Sequence, residues 1–168
     1  MSRLAYADPP YPGQAQRHYG REEVDHKELV ERLQFYDAWA LSTSSPALQM
    51  ILPLCPPETR VAAWVKPFAS FKPGVNPAYA WEPVLFIPAR RRHRSEPTVR
   101  DWLAAGITMK RGLSGAKPFS FGLWLFDLLQ AEPDDCFEDL FTGTGAVTRA
   151  WEHWRNQRRA QTGMVLSD

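Results

Sequence analysis

The chain has 168 residues, of which 44% are hydrophobic and 23% charged, and its formal net charge is +1. These values are typical of one globular domain, and they exclude a wholly disordered chain, a collagen-like repeat and a coiled coil. Taken over the whole chain, the balanced charge argues against a strongly basic nucleic-acid packaging protein. We therefore predict a single domain over residues 1–168.

Cysteine usage and hydropathy predict a cytoplasmic protein. Cys55 and Cys136 lack the C-x-x-C spacing of a zinc or redox site, so we expect two buried thiols in a reducing compartment. The histidines lack metal-ligand spacing, and no metal is predicted. No apolar run approaches the roughly 20 residues that span a bilayer, and the N-terminus has no signal-peptide pattern. We expect a soluble protein without a membrane partner.

The first half of the chain alternates short apolar runs with helical patterns. The spacing of Asp25 and Glu28 is that of a capping box, which predicts a helix ending near Tyr36. Ser45 followed by Pro46 predicts the N-cap and first position of a second helix. Residues 66–77 are too rich in proline and glycine for regular structure. Strands are predicted at 4–7, 38–41, 61–65 and 84–87.

The second half continues this alternation. We predict a short helix over 98–105, a glycine-containing loop over 106–116, an apolar helix over 119–129, a strand over 136–141, a helix over 146–160 and a strand over 164–166. Alternating strands and amphipathic helices are typical of an α/β sheet that is covered on both faces.

A glycine turn connects the predicted strand and helix near the C-terminus. Glycines in the run 139–145, with the sequence DLFTGTG, let the backbone approach a ligand closely, and a helix N-terminus favours anionic or polar groups. Asp168 follows the next predicted strand, where a carboxylate can accept hydrogen bonds from ribose hydroxyls. The alternative is a glycine turn that only relieves steric crowding and a terminal residue without a ligand.

Asp8-Pro9-Pro10-Tyr11 directly follows the first predicted strand. Two consecutive prolines fix the backbone and remove two amide donors, so a carboxylate, bare carbonyls and an aromatic ring are presented together. Such a loop can accept hydrogen bonds from an amino group and stack on a flat ring. A surface Pro-Pro turn with local capping by Asp8 is the alternative.

Together these motifs resemble those of the S-adenosylmethionine-dependent methyltransferases that act on exocyclic amines of DNA bases, in the permuted order with the catalytic motif first. The matching residues are the DPPY run 8–11, Lys117-Pro118 before an apolar helix, and the run 139–145 with its F-x-G-x-G turn. The resemblance implies a minimal Rossmann-like methyltransferase sheet, mostly parallel with one antiparallel strand. It spans most of the chain and is weakest over residues 89–115.

The resemblance also implies roles for individual residues. The catalytic loop would comprise Asp8, Pro9, Pro10 and Tyr11: Asp8 and the Pro9 carbonyl would accept hydrogen bonds from the target amine, while Tyr11 stacks on a base flipped out of its duplex. The residues expected to bind S-adenosylmethionine are Lys117, Pro118, Asp139, Phe141, Thr142, Gly143, Gly145 and Asp168. Trp81-Glu82-Pro83 resembles a tract of the family's later strands, although a core tryptophan beside a proline explains it equally well.

The chain departs from the family's usual pattern at its C-terminal end. The third strand on the cofactor side is expected to be missing, which would leave a sheet edge bare or covered by a second copy or a partner chain. The chain also leaves no room for a separate target-recognition domain. Relaxed sequence specificity, or help from a second chain, follows as a hypothesis.

The charge is unevenly distributed along the chain. Residues 90–117 contain eight Lys and Arg against Glu96 and Asp101, a local charge of +6. We predict that this basic loop or helix insertion over 89–117 contacts nucleic-acid phosphates. Alternatively, its arginines pair with nearby carboxylates. The predicted nucleic-acid contacts are Arg90, Arg91, Arg92, Arg94, Lys110 and Arg111.

These observations favour a DNA amino-methyltransferase, with adenine as the first candidate because it is the commoner target of this motif. Methylation of RNA or of a free nucleotide is the alternative within the same chemistry. A non-catalytic subunit that binds nucleic acid or a partner is the alternative from another class.

Overall fold

The computed structural model describes residues 1–12, 23–67, 74–110 and 113–165. The strands are β1 (Arg3–Ala7), β2 (Ala38–Ser42), β3 (Arg60–Val65), β4 (Trp81–Ile87), β5 (Trp102–Ala104), β6 (Thr108–Lys110), β7 (Leu113–Ala116) and β8 (Cys136–Asp139). The helices are α1 (His26–Leu33), α2 (Leu48–Ile51), α3 (Phe119–Leu129) and α4 (Ala146–Val165). Short 3₁₀ turns, Ser45–Ala47 and Leu52–Leu54, flank α2.

Six of the strands form one mixed sheet in the order β5-β3-β4-β2-β1-β8. Within this sheet β4 runs antiparallel to both of its neighbours, and the other strands run parallel to one another. Five strands therefore end, and β4 begins, at the same edge, which we call the carboxyl edge. The opposite edge is the amino edge. The predicted α/β class, with one antiparallel strand in a mostly parallel sheet, is confirmed.

Helices α3 and α4 cover one face of the sheet. Their buried aromatic side chains meet the inward-facing residues of the central strands, such as Tyr6 and Trp64. Phe126 packs edge-on against Trp151 at 5.1 Å between ring centroids, and Trp151 stacks on Trp154 at 5.3 Å. The predicted apolar helix over 119–129 thus has the predicted boundaries, because its spacing places most of its large side chains in this core.

The other face is covered by α1 and α2, which pack over β1 and β2. Helix α1 begins where the capping-box spacing predicted, since the Asp25 carboxylate accepts hydrogen bonds from the Lys27 and Glu28 amides at 2.9 and 3.1 Å. The second predicted cap was wrong by one residue: Ser44, not Ser45, is the N-cap, and its side chain makes no capping hydrogen bond.

Helices α3 and α4 approach most closely at Gly122. A Cβ atom built at this residue would lie 2.5 Å from the Ala150 Cβ. We expect Gly122→Ala to lower the free energy of unfolding by about 1 kcal/mol, since overpacking costs about 1–3 kcal/mol and the gain in helix propensity offsets part of it. Urea denaturation measures the change. Gly106→Ala is the control, because a Cβ there would meet no atom within 4 Å, and a similar loss in both variants would contradict the packing argument.

The prediction of a helix over 98–105 was wrong. Residues 102–104 form β5, and the flanking backbone groups bond to β3, from the Ala63 amide to the Asp101 carbonyl and from the Ala105 amide to the Val65 carbonyl. The Trp64 indole also donates to the Ala105 carbonyl at 2.9 Å. The exposed edge of β3 thus offers backbone hydrogen bonds to residues 102–104, and these bonds prevail over the local preference for a helix.

Several other boundaries differ from the predictions. Residues 106–116 are not a loop, because β6 and β7 form an antiparallel pair there. The strand predicted at 136–141 ends at Asp139, and β4 begins earlier than predicted, at Trp81. No strand forms at 164–165, since α4 continues through Val165. Residue 166 and the terminal Asp168 lie outside the described residues.

The thiols are less buried than expected. Cys136 is exposed and Cys55 is half-buried, so the prediction of two buried thiols was wrong. Burial raises the pKa of the Cys55 thiol to about 11. Among the described residues, no helix is long and apolar enough to cross a membrane.

Candidate active site

Asp8 lies at the carboxyl edge, directly after β1, and faces a buried ammonium group. The Lys117 Nζ is 3.0 Å from both carboxylate oxygens of Asp8. Lys117 precedes α3 and its side chain is only 7% exposed. The aromatic rings of Trp64 and Phe121 flank the ammonium, with centroids 5.1 and 5.7 Å from Nζ. The structure therefore joins the predicted catalytic loop to the Lys-Pro motif, which lies 109 residues away in sequence.

Glu82 is the second counter-ion of Lys117. Its Oε2 lies 3.1 Å from the Lys117 Nζ, and its Oε1 pairs with the Lys66 ammonium. Glu82 also accepts a hydrogen bond from the Tyr11 hydroxyl. Because β4 is antiparallel, its first residues reach the edge where β3 ends, and this brings Glu82 to Lys66. Two carboxylates and two ammonium groups thus form a chain of ion pairs, which we call the charge cluster: Asp8, Lys117, Glu82 and Lys66.

The charge cluster shifts the pKa of its buried members. Burial disfavours the charged forms of both Glu82 and Lys117, but the opposite charges beside them outweigh this effect. The charges of Lys117 and Lys66 lower the pKa of Glu82, while Asp8 and Glu82 raise the pKa of Lys117. Both groups are held in their charged forms at neutral pH. The pKa of Tyr6 is well above its usual value, through burial and the nearby negative charge of Asp8.

These shifts predict how stability depends on pH. The pKa of Glu82 is depressed in the folded state, so its contribution is present above its unfolded pKa of 4.5 and is lost as pH falls through the folded value. The pKa of Lys117 is raised in the folded state, so its contribution is present below its unfolded pKa of 10.5 and is lost as pH rises through the folded value. We expect Glu82→Gln to lower stability at neutral pH and to make the loss below about pH 4.5 shallower.

Urea denaturation of both proteins from about pH 3 to pH 7 measures this difference. Glu138→Gln is the control, since Glu138 is about half exposed and pairs with Arg32 on the surface at 3.4 Å. If the free energy of unfolding fell equally steeply with decreasing pH in wild type and in Glu82→Gln, Glu82 would contribute nothing to the pH dependence of stability.

The glycine turn lies on the strand next to Asp8. Asp139 ends β8 and is paired in register with Tyr6 of β1, so both loops leave adjacent strands at the carboxyl edge. The Asp139 carboxylate accepts hydrogen bonds from the Phe141 amide at 3.3 Å and from the Thr148 hydroxyl at 3.2 Å. Burial, with a smaller contribution from Asp8, raises the pKa of Asp139.

Two glycines shape the turn between β8 and α4. Gly143 and Gly145 have φ angles of +47° and +69°, which favour glycine over other residues. A Cβ at Gly145 would lie 3.1 Å from the Arg149 Nη1, and the Arg149 guanidinium already donates to the Thr144 carbonyl at 2.9 Å. The turn therefore leaves a backbone cradle at a helix N-terminus beside a half-buried carboxylate, a donor and acceptor set that fits a nucleoside-containing cofactor.

The structure shows where most of the other predicted cofactor residues lie. Pro118 is the N-cap of α3, and Phe141 and Thr142 lie within the glycine turn. Lys117 points to Asp8 and Glu82 and so belongs to the charge cluster. The structure does not describe Asp168, whose predicted ribose contact stays a prediction.

The first part of the basic segment, from Arg90, lies at the opposite edge of the sheet, whereas its last residue, Lys117, lies beside Asp8. The first part follows β4, which ends at the amino edge, and the Arg90 guanidinium there bonds to both oxygens of the buried Asp135 at 2.8 Å. Arg92 donates to the carbonyls of Pro97 and Asp127. Arg91 and Arg94 are exposed. Lys110 lies in β6 without a described side chain, and Arg111 lies outside the described residues.

Two residues of the site, Lys66 and Glu82, carry no motif in the sequence. Lys66 lies at the start of a proline-rich segment, and Glu82 lies in the Trp-Glu-Pro tract, for which a core tryptophan was an equally good explanation. The signal for Glu82 in the sequence is an acidic residue at the start of an apolar strand, because a buried charge there is stable only beside an opposite charge. Among the described residues, no group of three or more His, Cys, Asp or Glu side chains is placed to hold a metal ion.

Comparisons with known proteins were made at the levels of sequence and of structure. No protein-family model matches this sequence, and no curated protein matches it. A crystal structure of an M1.HpyAVI–SAM complex matches with a TM-score of 0.63 and 14% identity, over 92% of this chain and 79% of that chain. The chain has a Rossmann-like methyltransferase fold. A crystal structure of M1.HpyAVI matches with a TM-score of 0.54 and 13% identity, over 92% of this chain and 77% of the other.

Proposed function

We propose that this protein is an S-adenosylmethionine-dependent methyltransferase that methylates the exocyclic amino group of a nucleic-acid base, with adenine in DNA as the first substrate to test. The observation that carries the proposal is the placement of Asp8, in its Asp-Pro-Pro-Tyr loop, on the strand next to the Asp139 glycine turn. The methyltransferase fold and the SAM complex of the structural neighbour M1.HpyAVI support the same function.

The residues of the glycine turn fit the cofactor. Asp139, Phe141, Gly143 and Gly145 would hold S-adenosylmethionine, with the backbone amides at the start of α4 facing its polar groups. When bound, this cofactor supplies an electrophilic methyl group. The carboxyl edge places this cradle beside the Asp8 loop, and holding two reactants in a fixed orientation accounts for much of the acceleration in such transfers.

Asp8 would act on the target amine. The nitrogen lone pair of an exocyclic amine is delocalised into the base, so the amine is a poor nucleophile. Asp8 and the Pro9 carbonyl would accept its N–H hydrogen bonds, which strengthen as the nitrogen acquires positive charge in the transition state. Lys117 would hold the Asp8 carboxylate in a fixed orientation. Tyr11 would stack on the base.

Incubation with labelled cofactor, followed by nucleoside analysis, tests this proposal. The substrates are genomic DNA, a single-stranded oligonucleotide, RNA and a free nucleotide. We expect label on N6 of adenine in DNA. Label on N4 of cytosine, on RNA or on the free nucleotide would correct the substrate while keeping the reaction class. Absence of label on all four, with cofactor bound normally, would favour a non-catalytic subunit. Asp139→Asn is the matched control, because it should weaken cofactor binding without changing Asp8.

The predicted phosphate contacts can be tested at the exposed arginines. Arg90 and Arg92 are poor test sites, since their guanidinium groups hold the fold together. We expect the double variant Arg91→Gln, Arg94→Gln to reduce the slope of log K against log salt for DNA binding by about 2, if both contact phosphates. An unchanged slope would remove this segment from the nucleic-acid interface. The pair Arg158→Gln, Arg159→Gln, at exposed positions on α4, is the control.

A further inference from the structure

Within the described part of the chain, one sheet face is only partly covered by helices. Helices α1 and α2 pack over β1 and β2, but the neighbouring residues of β3, β5 and the start of β4 on this face are not part of that core. Trp81 is 37% exposed and Trp102 is 45% exposed. In register, Trp81 pairs with Val65 of β3, and Trp102 pairs with Ala63. Paired residues share a face, so both indoles lie on the same side of the sheet.

These residues form a continuous apolar surface. Small side chains of β3 lie between the two tryptophans. The strand spacing and the offset of two residues between Trp81 and Trp102 place the two positions about 12 Å from each other. The surface, which we call the tryptophan platform, comprises Val61, Ala63, Val65, Trp81, Trp102 and Ala104. Because the intervening side chains are small, they leave both indoles partly exposed.

The size of the platform argues against a stable interface between two copies of this chain. Three strands and five residues of β3 cover roughly 240 Å² of sheet. A standard protein interface buries about 800 Å² on each partner. A few stacked bases, by contrast, need only exposed aromatic faces and a nearby cation.

Charge and position favour such a ligand. The Arg100 guanidinium lies over the Trp102 ring, 5.4 Å from its centroid, so the platform already carries a cation beside one of its indoles. Trp81 immediately precedes Glu82, and Val65 immediately precedes Lys66, both members of the charge cluster. The same two strand ends therefore present the candidate active site on one face and the platform on the other. A nucleic-acid strand that places one base in the site would pass around the ends of β3 and β4 and reach the indoles on the other face.

We infer that the tryptophan platform binds single-stranded nucleic acid by base stacking and delivers it to the candidate active site. This inference rests on the proposed function, and it narrows the substrate to a polynucleotide with unpaired bases next to the target. Stacking on aromatic rings tolerates any sequence, so the platform would bind without reading the order of the bases.

Binding of fluorescently labelled oligonucleotides in the absence of cofactor tests the platform directly. The probes are single-stranded DNA and RNA of one sequence, and a DNA duplex. We expect Trp81→Ala and Trp102→Ala each to weaken single-strand binding about tenfold or more. Trp81→Leu keeps apolar area but lacks the flat ring, and we expect the same loss. Phe35→Ala is the control, because Phe35 is 78% exposed and follows α1, outside the platform. The difference between the DNA and RNA arms identifies the preferred polymer.

Kinetics separate this inference from the proposed function. With the preferred oligonucleotide as substrate, the tryptophan variants should raise KM about tenfold and leave kcat unchanged. Wild-type single-strand affinity in both alanine variants would overturn the inference while leaving methyl transfer intact. A wild-type dimer that becomes monomeric in these variants would also overturn it, in favour of a second copy on this face. Single-strand binding that needs both tryptophans, without methylation of any substrate, would instead overturn the proposed function.

Discussion

Replacing Asp8 with alanine should abolish detectable methyl transfer while leaving the affinity for S-adenosylmethionine nearly unchanged. Loss of a preorganised group that stabilises developing charge lowers kcat by about 10²–10³-fold in other enzymes. The fold should survive, because Lys117 keeps Glu82 as a counter-ion at 3.1 Å. The cofactor cradle lies on β8 and keeps its own contacts from Asp139 to the Phe141 amide and the Thr148 hydroxyl.

Paired measurements of kcat and cofactor Kd check this result. Asp25→Ala is the control for loss of a carboxylate, since Asp25 caps α1 through the Lys27 and Glu28 amides and is not a member of the charge cluster. That variant should lower stability by about 1 kcal/mol and leave kcat unchanged. If Asp8→Ala lost cofactor affinity and activity to the same degree, Asp8 would belong to the cofactor site instead of the target site.

Lys117→Met should have the largest effect on stability. The ammonium lies between two carboxylates, and its side chain is only 7% exposed. Its loss leaves Asp8 and Glu82, among the described residues, with Lys66 as their one paired cation. Breaking a buried ion pair by removing one partner costs about 3–5 kcal/mol. Activity should fall as well, because Asp8 would lose the group that orients it.

Urea denaturation at neutral pH and methyl-transfer assays measure the two effects. Lys66→Met is the matched control, since Lys66 pairs with Glu82 and, of the ion pairs among the described residues, has none with Asp8. It should destabilise less and retain activity. The double variant Lys117→Met, Glu82→Gln should recover part of the stability, because one uncompensated charge is removed with its partner. Equal losses of stability and activity in Lys66→Met and Lys117→Met would contradict a special role for Lys117.

Local sequence was sufficient for most of the individual elements. The apolar runs around Ala5, Ala40 and Trp64 are strands, and the capped helix from His26 starts where Asp25 predicted. These elements can be predicted from neighbouring residues, because side-chain periodicity and capping residues are visible in the local sequence. The DPPY loop and the glycine turn could likewise be recognised from composition and order, since prolines and glycines impose their backbone geometry wherever they occur.

Long-range pairing decided what local sequence could not. Residues 102–104 became a strand because β3 had an open edge to which their backbone could bond. Arg90 and Arg92, which the charge pattern predicted as phosphate contacts, found intramolecular partners because β4 carries that segment to the amino edge, away from Asp8. Charge counted along a chain cannot distinguish these outcomes, since a carboxylate distant in sequence can be adjacent in space.

The sequence by itself determined the class of fold and the two loops that carry the candidate chemistry. Only the tertiary structure decided what surrounds Asp8. Glu82 reaches the carboxyl edge because β4 alone runs antiparallel, and Lys117 reaches it because α3 begins there. Their pairing is a consequence of burial, because an ionised group that leaves water is stable only beside an opposite charge, and strand direction determines which charges meet.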